Sequence, residues 1–289
     1  MFLEAYAKIN WSLDITGVRD DGYHLMDMIM QPVSLYDEIT VTPARTLGIT
    51  TAGWPPSRAD ESNLAYRAAR VLREKTGYPG GAQIHVHKHI PIGAGMGGGS
   101  TDASAVLVGL NILWETGLSP EELEELGLSL GADVPFFIRG GLTRTRGIGE
   151  DLESHECMHN FWLIVIQPCP GLSTAQVFSL WRQDGSYHRP DTKAALHALE
   201  TGNLEELCAR LGNVLQPVSE RLRPEIADAC RDLSANGALF AGMTGSGSAV
   251  FGVFRSPLSA KKAYAKLSAI YKTIFLCHTQ HDSVRITVE

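Results

Sequence analysis

Hydrophobic stretches, some alternating with polar residues, predict β-strands along the whole chain. In the N-terminal half, residues 3–15 and 82–90 each predict one strand, and residues 28–43 predict two. In the C-terminal half, the short apolar runs at residues 161–166 and 249–254 are typical of buried strands. Two further strands are predicted at residues 134–138 and 273–279.

Hydrophobic residues three and four positions apart predict helices between these strands. Residues 62–76 predict an amphipathic helix that ends at Gly77, and Ser100 is a suitable N-cap for a helix over residues 101–114. A capping-box sequence begins the next helix at Ser119. Further helices are predicted at residues 174–181, 193–201, 204–211, 219–234 and 257–271. The chain is therefore expected to fold as a mixture of helices and strands.

The strand at residues 82–90 leads directly into a glycine-rich stretch, residues 91–104, in which five glycines fall within seven positions. Glycine permits positive φ and lets main-chain N–H groups approach a ligand closely. Because a helix is predicted to follow, the stretch is expected to bind an anion, most often a phosphate. A glycine turn without a ligand is less favoured, since five glycines are costly to order.

Two common phosphate-loop patterns fit this stretch only in part. Gly93, Gly95 and Gly98 satisfy the dinucleotide-binding pattern, but the acidic residues that follow the loop begin a helix instead of closing a second strand. The Walker pattern fails because Gly99 stands in place of its lysine. The sequence therefore predicts a nucleotide-binding loop whose positive charge comes from elsewhere in the chain.

Lys8 and Lys88 are the candidate sources of that charge. Lys8 and Asn10 lie two residues apart on the first strand, so their side chains leave the same face. Phosphoryl transfer to an alcohol also needs Mg²⁺ and usually an aspartate that accepts the hydroxyl proton. Asp133, at the end of a predicted helix, is the candidate for that role. The simpler interpretations are a solvated strand face for Lys8 and Asn10 and a turn or capping aspartate for Asp133.

Two other patterns have both a functional and a simpler interpretation. His85, His87 and His89 alternate along one strand and could bind zinc. A polar outer face is preferred for them because no fourth ligand is nearby in the sequence. A second glycine loop at residues 243–248 directly precedes a strand and is also compatible with a hairpin turn.

Composition narrows the class of protein. The chain has 289 residues, 44% of them hydrophobic, which is enough for one large domain or two ordinary ones. A formal net charge of −7 argues against a nucleic-acid-binding surface. The five cysteines are widely spaced, which predicts free thiols. The sequence shows no apolar leader and no apolar run of bilayer length. These features together predict a cytoplasmic protein with no membrane association.

Taken together, five motifs resemble those of the GHMP kinases, which include galactokinase, homoserine kinase, mevalonate kinase and phosphomevalonate kinase. They occur in family order and span essentially the whole chain. The motifs are residues 7–10, 20–24, 91–104, 130–137 and 242–248. Met96 replaces a usual leucine and Thr101 a common serine, and both substitutions preserve shape and function. Within the family, the resemblance is greatest to members that phosphorylate the 2-hydroxyl of diphosphocytidyl-methylerythritol in the non-mevalonate route to isoprenoids.

This resemblance implies an α+β fold with two domains and an active site in the cleft between them. The polar stretch at residues 150–160 is then expected to be a linker that marks the boundary between an N-terminal ATP-binding domain, residues 1–155, and a C-terminal domain, residues 156–289. It also implies ATP and Mg²⁺ as cofactors and a small-molecule substrate. The oligomeric state and the metal ligands stay open, and Asp102 either points away from the phosphates or faces Mg²⁺.

The resemblance also implies roles for individual residues. Asp133 is expected to be the general base, and Lys8 to lower the hydroxyl pKa or steady the developing charge. The substrate would be bound by Asn10, Tyr23, His24, Thr174 and Phe178, with Tyr23 and Phe178 on either side of the cytosine ring. ATP would be bound by Asn63, Lys88, Pro91, Ile92, Gly93, Ala94, Gly95, Met96, Gly97, Gly98, Gly99, Ser100 and Thr101.

Three other functions remain compatible with the sequence. The first is another GHMP kinase, of the homoserine or mevalonate type. The second, less favoured, is an NAD-dependent dehydrogenase that uses the glycine stretch as a dinucleotide loop. The third is a nucleotide-binding protein without catalytic activity.

Overall fold

The computed structural model describes residues 1–54, 56–182 and 188–287. In the first half, the elements are β1 (Phe2–Val18), β2 (His24–Ala44), β3 (Gly48–Gly53), α1 (Leu64–Thr76), β4 (Gly81–Lys88), α2 (Gly98–Leu113), α3 (Pro120–Leu128), α4 (Val134–Arg139), β5 (Leu142–Gly147) and β6 (Asp151–His155). In the second half, they are β7 (Trp162–Ile166), α5 (Thr174–Leu180), α6 (Thr192–Thr201), α7 (Leu204–Arg210), β8 (Gly212–Asn213), α8 (Gln216–Leu222), α9 (Glu225–Ala235), β9 (Phe240–Met243), β10 (Val250–Phe254), α10 (Pro257–Leu267), β11 (Ile274–His278) and β12 (Val284–Thr287).

Within the described residues, the strands form two sheets. The first has eight strands in the order β12-β1-β2-β4-β3, with β5 beside β2, β6 beside β5 and β8 beside β1. The second has four strands in the order β11-β7-β10-β9. Because β8 and β12 come from the C-terminal half, that half contributes strands to both sheets. The predicted boundary at residue 155 stays a prediction.

The long antiparallel pair of β1 and β2 forms the centre of the first sheet. Its register shifts between Tyr6 and Lys8 and again between Asn10 and Ser12. Such β-bulges bend a strand and change where its side chains point, and they are frequent beside active sites. The two irregularities therefore bracket the segment that carries Lys8 and Asn10.

The hydrophobic core joins the two sheets. The ring of Trp11 on β1 meets Phe161 edge to face at 5.5 Å and Phe251 at 5.7 Å, so one buried tryptophan links both sheets. Edge-to-face contacts of this kind stabilise a core by about 0.5–1.5 kcal/mol beyond the area that they bury. On the other side of the first sheet, α1 and α2 pack through buried residues such as Ala68 and Leu107.

Most predicted elements are confirmed, and the exceptions have local physical causes. Residues 134–138 form helix α4 and not a strand, because Pro135 lies in the first turn, where its missing N–H is not needed. The predicted helix over residues 219–234 is wrong, since it is interrupted before Pro224 and forms α8 and α9.

Three further predictions are corrected. Residues 28–43 belong to one continuous strand, β2, which has pairing partners along its length in β1, β4 and β5. The stretch at residues 150–160 is not only a linker, because it contains strand β6. Ser100 is not an N-cap: Gly97, at φ 74°, turns the chain into α2 three residues earlier. Among the described residues, no helix is both long and apolar enough to cross a bilayer.

Candidate active site

A cleft of about 530 Å³ is lined by segments from both halves of the chain. The N-terminal half contributes predicted site residues from β1, β4, the first glycine loop and the segment before α4, and the C-terminal half contributes two from α5. The predicted residues in the lining are Lys8, Asn10, Asn63, Lys88, Pro91, Ile92, Gly93, Ala94, Gly95, Met96, Gly97, Gly98, Gly99, Ser100, Asp133, Thr174 and Phe178. The fold thus brings together segments that lie far apart in the sequence.

The first glycine loop connects β4 to the N-terminus of α2. Gly93, Gly95 and Gly97 have φ values of 67°, 76° and 74°, in the left-handed region that favours glycine. The loop is held from both sides by main-chain hydrogen bonds. Lys8 N–H donates to Met96 O at 3.1 Å, and Ala249 N–H donates to Ala94 O at 3.2 Å. A preformed loop that ends at a helix N-terminus is suited to bind phosphate.

The second glycine loop is both a hairpin turn and a wall of the cleft. It connects the antiparallel strands β9 and β10, as the simpler interpretation predicted. The Asn213 side-chain amide holds it by donating to Met243 O at 2.9 Å and to Gly245 O at 2.8 Å. The loop also reaches β1, because Asn10 N–H donates to Thr244 Oγ1 at 2.9 Å. Both loops are therefore tied to the strand that carries Lys8.

Lys8, Asn10 and Asp133 meet at one place in the cleft. Lys8 Nζ donates to Asn10 Oδ1 at 2.5 Å and lies 4.0 Å from Asp133 Oδ2. Lys8 is only 3% exposed, and burial lowers its pKa, although the nearby carboxylate opposes this effect. Asp133 occupies the N-cap position of α4 without a side-chain capping bond, and its side chain is 36% exposed. Its carboxylate is therefore accessible from the cleft, where it can accept a proton.

Lys88 is neutralised by two buried aspartates. Its Nζ donates to Asp102 Oδ2 at 2.7 Å and also to Asp37. Asp37 additionally accepts the N–H groups of His89 and Ile90 through Oδ1, at 2.6 and 2.9 Å. Burial raises the pKa of Asp102 to about 7, against the attraction of Lys88. Its Oδ1 has no hydrogen-bond partner, and the residue lines the cleft. Asp102 thus binds Lys88 with one oxygen, and its other oxygen is buried without a partner.

Aromatic and hydroxyl groups lie around Phe178 and Thr174 of the cleft lining, whereas Tyr23 and His24 are not part of that lining. The ring of His24 lies 5.2 Å from that of Phe178 and 5.6 Å from that of Trp181, and burial lowers the pKa of His24. Thr174 Oγ1 lies 2.9 Å from Ser246 Oγ of the second glycine loop. Tyr23 is 61% exposed in the turn between β1 and β2. Three of the predicted substrate-binding residues, His24, Thr174 and Phe178, therefore lie in this region, and Tyr23, next to His24 in the chain, is on the surface.

Family comparisons agree with this geometry. Residues 63–141 match the model for the GHMP kinases N terminal domain, and residues 195–273 match the GHMP kinases C terminal model. A 4-diphosphocytidyl-2-C-methyl-D-erythritol kinase from Alkaliphilus metalliredigens (strain QYMF) is 42% identical over 277 residues, which cover 95% of this chain and 94% of that protein. The chain belongs to the GHMP kinase family. A protein of the same name from Pelotomaculum thermopropionicum is 40% identical to this GHMP kinase over 95% of the chain and 96% of that protein.

Solved structures give the same result. The crystal structure of a 4-(cytidine 5'-diphospho)-2C-methyl-D-erythritol kinase superposes with a TM-score of 0.84 at 34% identity, covering 96% of this chain and 99% of that one. A homoserine kinase from Cytophaga hutchinsonii has a TM-score of 0.78 at 16% identity, covering 99% and 97%, which shows a shared fold. The predicted family and the two-domain α+β fold are confirmed, and with them a phosphotransferase that uses an alcohol acceptor.

Sequence reasoning missed three residues of the GHMP kinase cleft and its surroundings. Asp37 is fully buried beneath Lys88, and Thr244 and Ser246 connect the second glycine loop to Asn10 and Thr174. Asp37 had a detectable signal, because Lys88 alternates with Ile84, Val86 and Ile90 along one face of a predicted strand, and a lysine buried there requires a counter-charge. The two hydroxyls lie within the second glycine motif, but nothing pointed to their individual contacts, since glycine, serine and threonine are also common in ordinary turns.

We predict that Gly95→Ala destabilises the kinase more than Gly77→Ala does. Both residues have left-handed φ, 76° and 66°, which costs alanine about 1–2 kcal/mol. A Cβ at Gly77 meets open space, whereas a Cβ at Gly95 would lie 2.4 Å from Thr244 O. Relief of that contact requires the two glycine loops to separate, at an additional cost of about 1–3 kcal/mol. Urea unfolding of both variants measures the difference, and equal losses of unfolding free energy would contradict close packing of the loops.

Proposed function

We propose that this GHMP kinase transfers the γ-phosphoryl group of ATP to the 2-hydroxyl of 4-diphosphocytidyl-2-C-methyl-D-erythritol, on the non-mevalonate route to isoprenoid precursors. The observation that carries the proposal is the contact between Lys8 and Asp133 in a cleft whose other wall is the glycine loop. The names of the relatives at 40% and 42% identity support the choice of substrate.

ATP is bound by its phosphates at the first glycine loop. Main-chain N–H groups of the loop and the N-terminus of α2 stabilise the negative charge without a lysine inside the loop. Asn63 also lines the cleft, where its side chain caps α1 and donates to Arg58 O at 2.7 Å. Lys88 contributes through the ion pairs that position Asp102 at the start of α2.

Phosphoryl transfer uses Asp133 and Lys8 at the acceptor end. Asp133 takes the proton of the substrate hydroxyl as the oxygen forms a bond to the γ-phosphorus, and the bond from that phosphorus to the β–γ bridging oxygen breaks to release ADP. Lys8 stabilises the negative charge that develops on the attacking oxygen and the phosphoryl group. Asn10 holds the Lys8 ammonium in place through its 2.5 Å hydrogen bond.

The cleft also offers oxygen ligands that suit Mg²⁺. Asp102 Oδ1 is buried without a partner, and Ser100 is also part of the cleft lining. Mg²⁺ prefers such hard oxygen donors and is typically held by one or two protein groups together with phosphates. Asp102 and Ser100 are therefore the residues that would hold the ion. When bound, it neutralises charge on the ATP phosphates.

The cytosine ring is proposed to bind between Tyr23 and Phe178, with His24 at its edge. The rings of Phe178 and His24 already lie 5.2 Å apart, and the exposed ring of Tyr23 offers an aromatic face to a flat base. Thr174 lines the cleft together with Phe178. We also propose a cytoplasmic enzyme, which is consistent with the free thiols of its five cysteines.

A substrate panel tests this proposal. Purified protein is incubated with MgATP and, separately, with 4-diphosphocytidyl-2-C-methyl-D-erythritol, mevalonate and homoserine, and phosphorus NMR follows the new phosphate monoester. A monoester formed only from the first compound, with ADP in equal amount, is expected. Preferential phosphorylation of mevalonate or homoserine would assign a different substrate to the same cleft. ATP binding without any product would overturn the catalytic proposal.

A further inference from the structure

Three potential metal ligands form a cluster on the outer face of the first sheet. His87 lies near the end of β4 and His89 directly follows the strand, and their rings stack on the same side. Glu38 on β2 lies directly opposite His87 in the antiparallel register and joins them on that face. The ligand atoms of the three side chains all lie within 4.8 Å of one another. The sequence around the two histidines contains no carboxylate, and Glu38 of the neighbouring strand supplies one.

The two imidazole rings are already arranged side by side. Their centroids are 4.7 Å apart with an angle of 19° between the rings, and His89 Nε2 lies 3.6 Å from Glu38 Oε1. The His87 ring packs against Gly53, where an added Cβ would stand 2.6 Å from its Cδ2. A glycine at this position therefore leaves room for the ring beside the cluster.

The ligand set has the chemistry of a zinc site. Two imidazole nitrogens and one carboxylate oxygen, with water in the fourth position, are a common combination for Zn²⁺. Neighbouring ligand atoms of a tetrahedral zinc ion are separated by about 3.3 Å, from bond lengths near 2.0–2.1 Å. The side chains of His89 and Glu38 are 40% and 39% exposed, so small rotations can bring the ligand atoms to that separation.

We propose that Glu38, His87 and His89 bind a divalent transition-metal ion, zinc in particular, outside the kinase cleft. The ion would connect β2 and β4 on the outer face of the sheet. On the inner face, the adjacent residues Asp37 and Lys88 connect the same two strands by their ion pair. Metal binding therefore stabilises the strand pair that leads into the first glycine loop.

Zinc titration of the chelator-treated full-length protein tests the proposal. Isothermal titration calorimetry is expected to give one site, which the double variant His87→Ala/His89→Ala weakens by about 100-fold or more. Loss of outer-shell partners already costs about 10–100-fold in metal affinity, so loss of two ligands must cost at least as much. Glu38→Gln is expected to weaken binding as well.

His85→Ala is the matched control, because His85 lies on the same face of β4 but bonds to Thr50 Oγ1 at 2.8 Å, outside the cluster. This variant should bind zinc like the wild type, and zinc should raise the melting temperature of both. Circular dichroism of the double variant checks that its fold is retained. Equal zinc affinity in the double variant and in His85→Ala, or no binding by the wild type, would overturn the proposal.

Discussion

Asp133→Asn is expected to lower kcat by about 10²–10⁴-fold, which is the usual contribution of a general base. Asparagine has the same shape but cannot take the hydroxyl proton. The helix that follows should be unaffected, because Asp133 makes no side-chain capping bond to α4. The KM for ATP should change little, since the glycine loop and α2 bind the phosphates. Steady-state kinetics with the diphosphocytidyl substrate measures both constants.

Asp228→Asn provides a control for the loss of one carboxylate. Asp228 lies in the first turn of α9 with a side chain 56% exposed, and it pairs with Arg231 on the surface. Its substitution should leave kcat unchanged. If Asp133→Asn also retained wild-type kcat, with circular dichroism unaltered, Asp133 would not be the general base.

Lys8→Met is expected to lower kcat by about 10²–10³-fold, as the loss of one electrostatic stabiliser of the transition state commonly does. Methionine fills the space of the buried aliphatic stem but has no charge. The fold should survive, because the substitution removes a charge whose burial is itself costly. Lys262→Met on the exposed face of α10 is the control, with unchanged kcat. Wild-type kcat in Lys8→Met would exclude Lys8 from the reaction.

The pH dependence of the wild type gives a second measurement of the role of Lys8. Burial lowers its pKa below the usual value of about 10.4, and the protonated form is the one that stabilises negative charge. The rate should therefore fall as pH rises through this lowered pKa. The alkaline decline in kcat should begin at lower pH than an exposed lysine would produce, and Lys8→Met should lack it.

The sequence by itself determined the family, the types of most elements and the principal candidate residues. The glycine loop was predictable because closely spaced glycines before a helix have few uses besides anion binding. Lys8 and Asn10 were predictable as neighbours because side chains alternate strictly along a strand. Met96 and Thr101 did not obscure the motif, since both preserve the shape of the usual residue.

The tertiary structure alone decided which distant segments meet. Asp133 lies at the N-terminus of helix α4, 4.0 Å from Lys8 Nζ, where an apolar run had suggested a strand. The pairing of Asp37 and Asp102 with Lys88 joins residues up to 51 positions apart. Glu38 likewise reaches His87 only through the register of β2 against β4. Periodicity describes which face a residue occupies within its own element, whereas contacts between elements depend on the packing of the whole core.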